Sequence, residues 1–201
     1  MFTGLIQSKA TLKTITEKGS GKEMTIQIDG PLFNDIQIGD SISISGVCST
    51  ATALNKEDQL ISVDYLEETL KKTTLGQAKV GDSLNIELCL TPTTKMGGHI
   101  VSGHVDEVGV IQSFDKDGEW GVLVVKFSAQ HSPYLIPKGS IAIDGISLTV
   151  VDITDETFSV HLIPHTIENT TLNEKAVNDG VNLEFDQYAK YIYRFHQLQT
   201  K

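Results

Sequence analysis

The chain repeats itself. Residues Glu68–Glu87 read ETLKKTTLGQAKVGDSLNIE, and 97 residues later His165–Glu184 read HTIENTTLNEKAVNDGVNLE. Thr69, Thr73, Thr74, Leu75, Val80, Asp82, Asn85 and Glu87 return as Thr166, Thr170, Thr171, Leu172, Val177, Asp179, Asn182 and Glu184, far more identities than unrelated segments share. The register continues upstream, where Ser62 and Val63 match Ser159 and Val160. With an offset of 99, Ser41, Ile42, Ile44, Gly46 and Thr50 match Ser140, Ile141, Ile143, Gly145 and Thr149, so a two-residue difference falls in a loop near Asn55–Asp58. At the front, MFTGLI aligns on IVSGHV, pairing Gly4 with Gly103 and Ile6 with Val105. Solenoid repeats run about 20 to 50 residues, so this longer period predicts two tandem globular domains.

A chain of 201 residues with 39% hydrophobic content can bury two modest cores. Its 16 Lys and Arg stand against 26 Asp and Glu, a formal net charge of -10, which disfavours nucleic acid and anionic membrane surfaces as partners. No apolar run reaches membrane-spanning length, and MFTGLIQSKA has neither a basic flank nor an apolar signal core. A soluble, cytoplasmic protein is expected. Cys48 and Cys89 are too few for a disulfide framework and are not spaced as a metal site, so both are expected as free thiols.

Period-two alternation marks half-buried strands at Ser41–Ser45 and Ser83–Glu87, and again at Ser140–Asp144 and Val181–Phe185. Turn signals separate such strands at Ile38-Gly39-Asp40, Val80-Gly81-Asp82, Asp117-Gly118, Lys138-Gly139 and Asp144-Gly145. Short strands with frequent turns predict a closed or nearly closed antiparallel barrel in each half. Gly97-Gly98 reads as the junction. Tyr188, Ile192, Phe195 and Leu198 then recur at helical spacing in a segment with no counterpart between the barrels. The apolar stripe of that helix needs cover, from its own barrel or from another copy of the chain.

Gly46-Val47-Cys48-Ser49-Thr50 is the positional twin of Gly145-Ile146-Ser147-Leu148-Thr149. Cys48 and Ser147 occupy the same place, each with a Thr two residues on whose side chain shares its face of the strand. If that face is a pocket, the halves bind a polar ligand alike with different nucleophilic tips; the plainer alternative is a small buried thiol and a capped turn hydroxyl. His99 and His104 are five apart and project to opposite faces of a strand, which suits no shared metal. Either imidazole beside a pocket could act as a general base. His161 and His165 lie in HLIPHTIENTTL, where Pro164 and Thr166 predict a strand ending in a short helix, aligned with Asp64-Tyr65-Leu66-Glu67-Glu68-Thr69 of the first copy. Lys138 is by default a solvated turn residue.

Together MFTG, GGHIVSGHVD, IDGISLTV and HLIPHTIENTTL resemble the riboflavin synthase family over essentially the whole chain. The resemblance implies an all-β fold: two tandem Greek-key antiparallel barrels, each a lumazine-binding domain, over residues 1–97 and 98–187, and a C-terminal trimerisation helix over 188–201. It implies dismutation of two 6,7-dimethyl-8-ribityllumazine molecules into riboflavin and 5-amino-6-(ribitylamino)uracil between barrels of neighbouring chains, with no redox cofactor and no metal. A homotrimer is the implied assembly, and a lumazine synthase shell is a partner the family admits. Carried over by position, the first-barrel pocket falls on Gly4, Leu5, Ile6, Cys48, Ser49, Thr50, Asp64, Tyr65, Leu66, Glu67, Glu68, Thr69, Gly103, His104 and Val105. The second falls on Lys138, Ser147, Leu148, Thr149, His161, Leu162, Ile163, Pro164, His165 and Thr166. Cys48 and Ser147 are the implied groups near the reacting carbons, His104 a base and Thr149 an orienting hydroxyl. The chain departs from the family's Asn-Gly-x-Cys-Leu-Thr-Val at Ser45, Ser49 and Ala51, expected beside the pocket. The rival reading is a non-catalytic, fluorescent antenna-type lumazine- or flavin-binding protein; intact HLIPHT, IDGISLTV and helix favour the enzyme.

Overall fold

The computed structural model describes residues 1–199. Two closed antiparallel barrels of six strands follow one another. The first comprises β1 (Ser8–Lys18), β2 (Gly21–Gln27), β3 (Ser41–Ile44), β4 (Val47–Asn55), β5 (Leu60–Tyr65) and β6 (Ser83–Leu88). Around the barrel they run β1-β2-β5-β4-β3-β6. The second comprises β7 (Glu107–Asp117), β8 (Trp120–Lys126), β9 (Ser140–Ile143), β10 (Ile146–Ile153), β11 (Thr157–Leu162) and β12 (Gly180–Phe185), in the same circuit, β7-β8-β11-β10-β9-β12. A short helix follows the fifth strand of each, α1 (Glu67–Lys72) and α2 (Pro164–Asn169), and α3 (Gln187–Gln199) ends the described chain. Residues 200 and 201 of the expected helical segment lie outside the described residues. The two-residue offset is spent on a nine-residue β4 against an eight-residue β10 and on the longer turn after β4. No described helix is long and apolar enough to cross a membrane.

Alternation fills each barrel. Ile42 and Ile44 of β3, Met24 and Ile26 of β2 and Ile61 and Val63 of β5 meet inside the first; Ile141, Ile143, Leu123, Val125, Phe158 and Val160 do so in the second. The outward residues of β3, β6, β9 and β12, however, are not solvated. Ser43, Ser45, Asn85, Glu87, Asp144, Asn182 and Glu184 are all buried, because these strands form the faces on which the barrels meet. A strand pattern read as half-buried is therefore buried on both sides, its polar positions serving the interface.

Those groups are nearly all hydrogen-bonded, as burial demands. The Asn85 side chain accepts from the Thr171 N–H (2.9 Å) and donates to the Asp144 carbonyl (3.0 Å). Asn182 reciprocates, accepting from the Thr74 N–H (2.7 Å) and donating to the Ser45 carbonyl (2.8 Å). At the axis the β3–β4 and β9–β10 turns touch backbone to backbone. A Cβ on Gly46 would lie 2.6 Å from Gly145 N, and both glycines hold positive φ (83° and 81°). Ser45 and Asp144 also have φ of 46°, the two-residue turn whose twist suits a hairpin. Phe2 and Val101 bridge the barrels and pack on Ala142.

The helix α3 docks on the second barrel through a Lys190–Asp106 ion pair and an edge-on contact of Tyr193 with Tyr134, ring centroids 5.5 Å apart. Tyr188, Tyr191, Ile192, Phe195 and Leu198 remain exposed.

Candidate functional site

The barrels exchange their leading segments. The Cys48 N–H donates to the Gly103 carbonyl (2.8 Å), and the Ser147 N–H donates to the Gly4 carbonyl (2.8 Å). Each twin of the nucleophile-type pair thus lies against the loop that precedes the other barrel. The loops are held from behind by buried carboxylates. Glu87 accepts from the Thr3 N–H and hydroxyl (2.7 and 2.6 Å) and the Gly4 N–H (2.9 Å). Glu184 accepts from the Ser102 N–H and hydroxyl (2.6 and 2.7 Å) and the Gly103 N–H (2.9 Å). Burial pushes the Glu87 carboxyl above its usual range, and these bonds pull it back. Sequence order put Gly4, Leu5 and Ile6 with the first barrel; the structure moves them to the second, where Ile6 packs on the core, as Val105 packs on the first. One seam gathers Cys48, Thr50, Gly103, His104 and Val105, and the other Ser147, Thr149, Gly4, Leu5 and Ile6.

Facing follows the strand alternation. Cys48 and Thr50 look outward from β4, and Ser147 and Thr149 from β10. Ser49 and Leu148 point into the barrels, with Tyr65 and Leu162. Ser49 Oγ lies 2.7 Å from the Tyr65 hydroxyl and also donates to the Val47 carbonyl (3.0 Å); burial pushes the Tyr65 phenol up. Two of the three departures from the family pattern, Ser49 and Ala51, therefore line the first barrel's interior, and Ser45 sits at the inter-barrel axis. The expectation that they lie beside the pocket gives way to this placement. Where the second barrel holds two leucines, the first holds a small and a large polar residue joined by a hydrogen bond.

At the barrel mouths the twins differ in charge. Asp64 is held by both carboxylate oxygens on Lys18 (2.9 and 2.8 Å), and Glu67 pairs with Lys71 (2.6 Å). Glu68 and Leu66 are exposed, and Thr69 is half-buried. In the second barrel His161 stands exposed across from Val122 on β8. His165 is exposed beside Asn169, Pro164 and Thr166 are half-buried, and Ile163 is exposed. Lys138, exposed at φ 64°, occupies the left-handed turn position that Gly39 fills in the first barrel. Cys48 and Cys89 are both free thiols.

His99 is the residue the sequence did not single out from its neighbour His104. Its Nδ1 lies 2.7 Å from Ser147 Oγ, and its backbone N–H donates to the Thr3 carbonyl (3.1 Å). Burial holds this imidazole below the usual histidine value, opposed by the charge of Asp186. A neutral imidazole on a hydroxyl can take or return a proton. Gly98 leaves no room for a side chain against Ser147, which lets the segment lie this close. His104, by contrast, is exposed next to Gly103.

The family model of the lumazine binding domain matches residues 3–89 and again 102–186. The chain is 41% identical over 195 residues to a riboflavin synthase of Actinobacillus pleuropneumoniae, covering 97% of this chain and 89% of that one. It is 38% identical over 198 residues to a riboflavin synthase of Escherichia coli (strain K12), covering 96% and 90%. In fold it is similar to LumP complexed with riboflavin (TM-score 0.85, 18% identity, 93% of this chain and 100% of that one). It is also similar in fold to LumP complexed with 6,7-dimethyl-8-(1'-D-ribityl) lumazine (TM-score 0.84, 17% identity, 93% of this chain and 100% of that one).

Proposed function

The chain belongs to the riboflavin synthase family, and we propose that it dismutates two molecules of 6,7-dimethyl-8-ribityllumazine, one giving a four-carbon unit to the other, to yield riboflavin and 5-amino-6-(ribitylamino)uracil. The observation that carries this reading is the pair of alike but unequal seams. Two identical substrates must take different roles, and the twins offer matched outward hydroxyls, Thr50 and Thr149, with unequal partners: Cys48 against Gly103, the residue before the exposed His104, and Ser147 on His99. Ligands of this class are supported by the fold neighbours that carry ribityllumazine and riboflavin.

In the proposed chemistry a methyl group beside the electron-poor pyrazine of one lumazine loses a proton, and a nucleophile adds to a ring carbon of the other. His99 or His104 takes the proton, the Cys48 thiol or Ser147 hydroxyl adds, and the threonines orient the rings. Holding the two rings face to face supplies much of the acceleration through proximity. Within one chain the seams belong to different barrels, so the stacked pair is completed by a neighbour. The exposed stripe Tyr188, Tyr191, Ile192, Phe195 and Leu198 on α3 supports self-association, and the assembly proposed is a homotrimer in the cytoplasm.

Mixing the protein with 6,7-dimethyl-8-ribityllumazine, with nothing else added, tests this directly. One riboflavin for every two lumazines consumed is the expected result. Tight, fluorescent binding without riboflavin would overturn it in favour of an antenna-type protein. If Cys48→Ala and His104→Ala both left turnover intact, the residue assignment at the first seam would fall.

A further inference from the structure

A cleft of about 820 Å³ runs between the barrels and shares no lining residue with the seams. It lies on the other side of the axis from them. Along β6 the residues of one face run Ser83, Asn85 and Glu87, and along β12 they run Gly180, Asn182 and Glu184. The first of each set lines the cleft, the second crosses the axis, and the third holds a leading loop. The cleft walls are built from twins, Thr74 with Thr171, Ser45 with Asp144 and Ala78 with Lys175. Its volume is within the range of small-molecule sites.

The twins separate what the fold requires from what it does not. In the first barrel one neutral acceptor suffices: Ser45 Oγ accepts from the Asn85 N–H (3.1 Å), and Ala78 brings no polar side chain. In the second, Asp144 Oδ1 accepts from the Asn182 N–H (2.7 Å), which leaves Oδ2 with Lys175 Nζ at 3.5 Å. That ammonium also donates to the Gly180 carbonyl (2.9 Å). Asp144 is 2% exposed, and an ion pair at such depth adds little stability for the desolvation it costs. A carboxylate oxygen and an ammonium beyond structural need therefore stand together in the cleft wall. The other charges there are engaged. Glu67 pairs with Lys71 (2.6 Å) and Glu174 with Lys9 (3.1 Å), while Asp82 and Asp179 each accept from an N–H of their own turn (both 2.8 Å). A ligand thus needs a donor beside an acceptor but no net charge. Vicinal hydroxyls supply this, one donating to Asp144 and the next accepting from Lys175. We propose that the cleft is a further binding site, for a neutral molecule with a polyhydroxylated chain, of the ribityl-bearing class that the seams handle. The ribityl class rests on the dismutase reading above. Placed across the axis from both cradles, the site holds such a molecule without blocking either seam.

Riboflavin is the probe, titrated into the whole protein with its Leu and Val methyl groups labelled for NMR. Leu84 and Val108 report the cleft, and Leu5 and Val105 report the seams. The expected result is a response of the cleft methyls that Lys175→Met weakens about tenfold, while Leu5 and Val105 keep their midpoint. Gln77→Trp, on the exposed wall of the cleft, fills the space without touching the buried pair and should abolish the cleft response even if Lys175→Met does not fold. Cleft methyls that stay still up to the solubility limit of riboflavin overturn the proposal. So does a cleft response that follows the seam methyls at one midpoint and is left unchanged by the variants, because it is then transmitted from the seams. Failure of the wild-type protein to make riboflavin from ribityllumazine would instead count against the dismutase reading, while the cleft methyls still judge the site.

Discussion

The two barrels share their strand circuit, axis turns and carboxylate cradles, and differ in what each cradle serves. In the first, the interior carries Ser49 on Tyr65, and the mouth is acidic at Asp64, Glu67 and Glu68. In the second, the twins are Leu148 and Leu162, and the mouth presents His161 and His165. Phe127, Phe158 and Phe185 replace Ile28, Ile61 and Leu88, and their aromatic cluster reaches through Tyr134 to Tyr193 of α3. The helix has a stacking surface on one barrel only. Duplication has thus kept the main residues that join the halves, Gly46 with Gly145, Asn85 with Asn182 and Glu87 with Glu184, and let those diverge more that face a ligand or the helix. A surface shared by both barrels constrains two copies at once, whereas a mouth constrains one.

The shared axis should be the most sensitive place in the molecule. Gly46→Val would put a β-branched side chain at φ 83° and drive it into Gly145, adding backbone strain to a clash that cannot relax without separating the barrels. A loss of about 4 kcal/mol or more is expected from these two causes together, read as a collapse of soluble yield or of the melting temperature. Gly145→Val should cost nearly the same, since the contact is reciprocal. Unequal losses would show that the axis is held mainly by one barrel.

The divergent interiors are the next test. Ser49→Leu copies the second barrel into the first while leaving Tyr65 in place, overfilling the core and stranding a buried hydroxyl. The expected cost is about 2–3 kcal/mol in denaturant unfolding. Adding Tyr65→Leu should recover most of it, because the second barrel already packs that pair. If the double variant were as unstable as the sum of the single losses, the Ser49–Tyr65 hydrogen bond would not explain the departure at position 49.

Much of this architecture was legible in the sequence, and its failures were systematic. Two barrels followed from a repeat whose period exceeds any solenoid, and α3 followed from helical spacing at Tyr188, Ile192, Phe195 and Leu198. The resemblance put Gly103 in the first-barrel pocket, but the docking of Gly4 on the second barrel was not legible, because alignment pairs each residue with its own copy and carries no sign of the copy it docks on. Consecutive motif residues misled in another way: Cys48, Ser49 and Thr50 read as one patch, yet a strand turns alternate side chains to opposite sides. His99 lay in the connection between repeats and was read there only as one of two histidines beside a strand, with nothing to set it above His104. The serines of β3 looked solvated because period two reveals which face a residue takes, not what covers that face.

Ser43 makes that last point measurable. Its hydroxyl is the buried side-chain polar atom left without a hydrogen-bond partner among the described residues, and its twin in the second barrel is Ala142. Ser43→Ala should therefore stabilise the protein by about 1 kcal/mol, whereas Ala142→Ser should destabilise it. Calorimetry of both variants checks the pair, and a destabilised Ser43→Ala would mean that the hydroxyl has a partner, such as an ordered water.

The subtlest difference lies at the axis itself, where Ser45 of the first barrel faces its twin Asp144. Asp144 is fully buried, accepts from the Asn182 N–H (2.7 Å) and lies 3.5 Å from Lys175, whose own twin is Ala78. Burial pushes its carboxyl above the ordinary aspartate value, with Lys175 pulling it back. A raised acid binds more protons folded than unfolded, so its contribution to stability falls as pH rises from the ordinary aspartate value through the folded one. Asp144→Asn keeps an acceptor for Asn182 and removes that dependence. Its melting temperature relative to wild type should therefore improve from about pH 4 to about pH 7, while Ser45→Asn, with no charge to remove, should show a flat difference. A flat difference for Asp144→Asn as well would mean that Lys175 compensates the burial completely, and that the axis is electrostatically symmetric despite its unequal residues.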